Sequence, residues 1–168
     1  MGRRNYLIEG VSGTGKSSVC EELRNRGYHA VNGDVELAYQ GDPLTGLPTT
    51  GFTHEHHIWD VAKVKAIVED HGEESTFFCG GSRNFDKFID FFDKVFVLNV
   101  DKDTLERRIA TRSNNDWGGR QAERELIFKL HATQEDVPAI GIRIDATAPL
   151  QEVVDEILRQ AKLNRWHP

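Results

Sequence analysis

Gly10-Val11-Ser12-Gly13-Thr14-Gly15-Lys16-Ser17 fills every specified position of the spacing GxxxxGK[ST]. Such a run curls the backbone until successive N–H groups point inward, where they cradle phosphate oxygens. Lys16 is placed to neutralise the outer phosphates and the Ser17 hydroxyl to reach Mg²⁺. Gly10, Ser12, Gly13, Thr14, Gly15 and Ser18 complete the expected cradle. Glycine-rich turns also join strands to helices without any ligand. Here the terminal Lys-Ser pair argues for phosphate chemistry, with ATP and Mg²⁺ as the expected occupants.

That chemistry needs a strand before the loop and a helix after it. Residues 6–9 are strand-like, and residues 16–26 carry helical spacing through Val19 and Leu23 before stopping at Gly27. Further strands are expected at 28–31, 75–79, 94–100 and 140–145. Helices are expected at about 53–71, 84–92, 101–112, 120–134 and 150–163. The alternation predicts an α/β fold with a parallel sheet. Residues 35–53, rich in Gly, Pro and Thr, form a long excursion of the kind that is functional or disordered.

At 168 residues the chain fits a single domain with room for a core. Its net charge of -6 gives no global attraction to nucleic acid or anionic lipid, and no basic stripe compensates. No apolar run approaches the roughly 20 residues that cross a bilayer. The first strand follows Met1 so closely that a signal peptide is not expected. Cys20 and Cys79 make neither a CxxC pair nor a disulfide framework, which suits a reducing cytoplasm. A monomer or homodimer acting on a small molecule is the expectation.

Other polar residues extend the site. Arg108 and Arg112 lie four apart and share a helix face, whereas Arg107 falls on another. Arg120 follows the break at residues 113–119. Cations so placed stabilise the charge that spreads over a phosphoryl group in flight. Asp34 follows the second strand in a Gly-Asp pair, where it can orient a hydroxyl, take its proton or bind Mg²⁺ through water; a helix N-cap is its plainer reading.

In this order along the chain, the motifs resemble the small P-loop kinases of the adenylate kinase, shikimate kinase and gluconate kinase group. The resemblance implies a three-layer α/β/α fold with a five-stranded parallel sheet in the order 2-3-1-4-5. It also implies an acceptor-binding insert at residues 35–62 and a lid at 112–122, within one domain over residues 1–168. Ile144-Asp145-Ala146-Thr147-Ala148-Pro149 is similar to the loop that holds the adenine, with Thr147 and Pro149 as contacts. Arg108, Arg112 and Arg120 correspond to catalytic lid arginines, with Lys16 and Asp34 completing the catalytic set and Ser17 and Asp34 serving the metal. The third strand departs from the adenylate kinase pattern: Cys79-Gly80-Gly81-Ser82-Arg83 stands where an Asp would help hold Mg²⁺. Gly80, Gly81 and Arg83 are instead expected to meet the acceptor.

The insert limits what that acceptor is. From Gly27 to Ala62 there is no Lys or Arg, while Asp34, Glu36, Asp42, Glu55 and Asp60 are present. An anion would be repelled unless Arg83 alone compensated. A neutral or cationic hydroxyl compound is therefore expected, such as a nucleoside or sugar. Tyr39, His57 and Trp59 are candidate contacts, Trp59 being equally readable as core. The cluster His54, His56 and His57 invites zinc, and His54 and His57 at i, i+3 could converge as two ligands, but no cysteine or third ligand stands nearby at zinc spacing. The competing readings are a nucleoside monophosphate kinase-like enzyme and a partner-gated ATPase. The second would want a strand ending in Asp-Glu.

Overall fold

The first strand, β1 (Arg4–Gly10), is buried on both faces once past Arg4, so it takes the middle of a sheet. The computed structural model describes residues 4–113 and 115–162. Expectations touching Met1, Asn114 and Leu163 lie outside the described residues. After β1 come α1 (Lys16–Asn25), β2 (His29–Asn32), the single turn α2 (Gly33–Glu36), β3 (Ala38–Gln40) and β4 (His57–Trp59). Then follow α3 (Val61–Glu69), β5 (Ser75–Cys79), β6 (Lys94–Asn99), α4 (Lys102–Ala110), α5 (Gln121–Thr133), β7 (Ile142–Asp145) and α6 (Leu150–Gln160).

Five strands pair in parallel in the order β2-β5-β1-β6-β7. With the separate β3–β4 hairpin set aside, this is the expected order 2-3-1-4-5. Helix α1 ends on Gly27 at φ 90, with Gly27 N–H on Arg24 O and Tyr28 N–H on Leu23 O, both at 3.0 Å. That pair of bonds closes the helix and turns the chain straight into β2. Helix α6 buries Val153, Val154, Ile157 and Leu158 and packs against α1, so the last helix braces the one that carries the phosphate loop. Cys20 and Cys79 are buried free thiols.

Three expected elements differ. The helix expected from residue 53 begins at Val61; before it lie one tight turn, His54–His56, and then β4. Apolar spacing alone fits either state, but β4 pairs antiparallel with β3, and Asp60 caps α3 by accepting from Lys63 N–H at 3.2 Å. Residues 84–92 make two 3₁₀ turns, Phe85–Lys87 and Ile89–Phe91, in place of a helix. There the buried Asn84 spends its side chain on the backbone of Trp59, accepting from N–H at 3.1 Å and donating to O at 3.0 Å. Helix α4 stops at Ala110, which leaves Arg112 on the segment beyond it.

Candidate active site

Two cavities meet beyond the carboxyl ends of the sheet strands. The larger, about 560 Å³, follows residues 12–18 and is walled by Arg108, Arg112, Ala146, Ala148 and Val153. Arg108 donates to Gly13 O at 3.2 Å and to Ala146 O at 3.0 Å, tying the loop to the turn after β7. Arg112 donates to Ser12 Oγ at 3.0 Å and to Trp117 O at 2.7 Å, tying the same loop to the break before α5. Lys16 Nζ donates to Gly10 O. Thr14 lines this cleft too, its hydroxyl turned inward onto Val11 O at 2.8 Å, and Gly10 borders the smaller cavity.

The smaller cavity, about 220 Å³, shares Ser12, Lys16 and Asp34 with the larger. Asp34 Oδ1 accepts from His57 Nε2 at 2.9 Å, Gly81 N–H at 3.3 Å and Trp59 Nε1 at 3.5 Å. All three bonds fall on one oxygen, and Oδ2 takes no hydrogen bond from the described residues. Burial works against the Asp34 charge, but His57, the Lys16 ammonium and Trp59 outweigh it and hold the carboxyl below its ordinary value. The close approach needs glycine at position 80: at φ 142, a Cβ there would lie 2.8 Å from Asp34 Oδ1 and from the Trp59 ring. The loop is stitched to β4 by Arg83 N–H on His57 O at 2.9 Å, so the elements that place His57 and Gly81 move together.

Deeper in the same cavity, Arg83 NH1 meets Asp136 Oδ2 at 2.6 Å and Asp136 O at 3.0 Å. His54 Nε2 bonds the same Oδ2 at 3.1 Å, and its ring stacks on Trp117 with centroids 5.6 Å apart. Behind Lys16 and Arg83 lies Glu9, 1% exposed and bonded to Gly10 N–H at 3.0 Å. Burial pushes the Glu9 carboxyl up to about 7, although Lys16, Arg83 and the Gly10 N–H favour its charge.

Several expected contacts fall elsewhere. Trp59 is fully buried and stacks on Phe88 at 5.4 Å, so its ring is core and only Nε1 serves the site. Tyr39 spends its hydroxyl on Gly46 O at 2.6 Å inside the insert and does not line the cavity. Arg120 is exposed at the start of α5, where Glu123 accepts from its N–H at 3.4 Å and from Gly118 N–H at 3.1 Å. The arginine that braces this break is Arg124, on Gly118 O at 3.0 Å and Arg112 O at 3.3 Å. Thr147 turns its hydroxyl to Asp101 N–H at 3.3 Å, and Pro149 opens α6; Ala146 and Ala148 line the cleft in their place.

A family model described as an AAA domain matches residues 7–129, from β1 into α5. The chain belongs to the AAA domain family. No curated protein matches this AAA domain protein. Solved structures match it over nearly their whole length. A sugar kinase from a Janibacter species aligns with a TM-score of 0.60 at 17% identity, over 96% of either chain. A gluconokinase from Sinorhizobium meliloti gives 0.58 at 23% identity, covering 95% of this chain and 93% of that one. A shikimate kinase from Acinetobacter baumannii, in complex with shikimate, gives 0.61 at 16% identity, covering 98% and 96%. Identities this low speak to the fold, which is that of the small P-loop kinases.

Sequence reading passed over Glu9, Asp136, Trp117 and Arg124. Glu9 has a signal: it is the one charged residue between Tyr6 and the first motif glycine, directly after the apolar Leu7 and Ile8. Asp136 had none, because its partners His54 and Arg83 lie 82 and 53 residues away. Magnesium fits the residues present. Ser17 and Asp34 line one cleft, and a hydroxyl with a carboxylate and waters is an oxygen set suited to a hard cation.

Proposed function

We propose that this AAA domain protein is an ATP-dependent kinase that phosphorylates a hydroxyl of a small neutral or cationic molecule. The observation that carries the reading is the common wall of Ser12, Lys16 and Asp34 between the two cavities. Lys16 stands where the outer phosphate of a nucleotide on the loop would face the smaller cavity. Asp34, kept ionised, offers Oδ2 to an acceptor hydroxyl and so aligns it with that phosphate. Arg108 and Arg112 supply positive charge along the path, where it compensates the oxygens of the group in transfer. Ser17, and Asp34 through water, would hold Mg²⁺, which neutralises phosphate charge when bound. His57 fixes the orientation of Asp34. The kinase structures that share the fold add support, and cytoplasmic action without nucleic-acid or membrane partners suits the charge.

The test is MgATP consumption by the purified protein against neutral sugars and polyols, nucleosides, amino sugars, sugar acids and nucleoside monophosphates. Stimulation by a neutral or cationic hydroxyl compound is expected. Stimulation by a monophosphate alone would overturn the acceptor assignment. Slow turnover indifferent to every compound would point to an ATPase.

A further inference from the structure

Arg83 is the only guanidinium among the described residues lining the smaller cavity, and it is not free. Its NH1 sits 2.6 Å from Asp136 Oδ2, and the two side chains are each only 12% exposed. Burial raises the cost of ionising Asp136, but the His54 bond, Arg83 and Lys16 prevail and keep it charged. An anionic acceptor reaching for Arg83 would have to displace a buried carboxylate or lie beside it, and like charges there repel strongly. Arg83 Nε and Asp136 Oδ1, moreover, are buried without any hydrogen-bond partner among the described residues. One is a donor and the other an acceptor, carried by the same ion pair. Both residues line the cavity, so the pair shows a ligand N–H donors and carboxylate acceptors side by side; a hydroxyl, both donor and acceptor, suits that edge, whereas a carboxylate suits only the donor side.

We propose that Asp136 sets the acceptor class: by holding Arg83 in an ion pair, it makes the pocket a site for a neutral polyhydroxy compound and excludes anions. The assignment rests on the acceptor reading of this cavity. Asp136 here is a specificity device that works by leaving the wrong ligand against an unpaired charge. Phe52 and Trp117, which also line the cavity, supply apolar faces for the carbon side of such a compound.

The test is calorimetric titration with D-gluconate and with D-glucitol, a neutral polyol of equal chain length. MgADP is kept present to occupy the phosphate loop. Asp136→Asn preserves the side-chain shape and should bind gluconate at least about tenfold more tightly than the unaltered protein. Glucitol affinity should move by less than about threefold, and adding Arg83→Met to Asp136→Asn should erase the gluconate gain. Arg83→Gln gives the opposite sign and an independent check. With Asp136 unpaired, the cationic D-glucosamine should bind at least about fivefold more tightly than to the unaltered protein. Gluconate binding no tighter in Asp136→Asn than in the unaltered protein, including none in either, overturns the proposal. So does a gluconate gain that survives loss of Arg83. Phosphoryl transfer plays no part in these titrations. Charge selection as described without any ATP turnover would sink the kinase reading alone. Turnover of a polyol with unchanged charge selection would sink the role of Asp136 alone.

Discussion

Asp34 and Glu9 are carboxylates in one site held in different states. Asp34 collects three donors on one oxygen and stays ionised, whereas Glu9 has, among the described residues, only the Gly10 N–H and is pushed up to about 7 by burial. A carboxyl whose folded value lies above its unfolded one stabilises the fold while both states hold the proton. That stability is lost as pH rises from about 4.5 through about 7. A shift of that size amounts to about 3 kcal/mol, with little solvent screening at 1% exposure. Glu9→Gln has no proton to lose. Urea unfolding at about pH 4.5 and about pH 8 should therefore show the variant gaining about 3 kcal/mol on the unaltered protein between the two. Parallel pH curves would contradict the burial account of Glu9.

At the scale of elements, the phosphate loop is held from both sides, by Arg108 on α4 and by Arg112 on the segment just beyond it. Arg108 joins it to the turn after β7 and Arg112 to Trp117, so the loop, that turn and the break before α5 are mechanically one unit. Removing Arg112 takes away a charge and that brace, but no core side chain. Arg112→Ala should lower kcat by about 100-fold while the midpoint of thermal unfolding moves by less than about 4 °C. A large loss of thermal stability with kcat nearly intact would make Arg112 a structural residue. The loop and its flanking strand and helix are local, and their spacing shows them. Arg108 and Arg112 are readable because helical periodicity puts them on one face. The β3–β4 hairpin, the burial of Trp59 against Phe88 and the Arg83–Asp136 pair arise from contacts between distant segments, which no local pattern encodes. Arg120 differs from its expected place for the same reason: it caps the start of α5, and Arg124, one turn on, reaches back to the break.

For the molecule as a whole, a parallel sheet brings the ends of β1, β2 and β5 to one edge, and each delivers a piece of the site. From β1 come the loop and Glu9, from β2 Asp34, and from β5 Gly81 and Arg83. The chain is acidic overall, at -6, yet Lys16, Arg108 and Arg112 line one cleft and concentrate positive charge there. The central claim is that the outer phosphate passes from the larger cavity to a hydroxyl in the smaller one. The most direct measurement is phosphorus NMR of the products formed from MgATP with the compound that best stimulates turnover, for the unaltered protein and for Lys16→Ala. A phosphate monoester should appear in step with ADP, and no ester should be detectable from Lys16→Ala. Inorganic phosphate in step with ADP, with no ester formed, would contradict it.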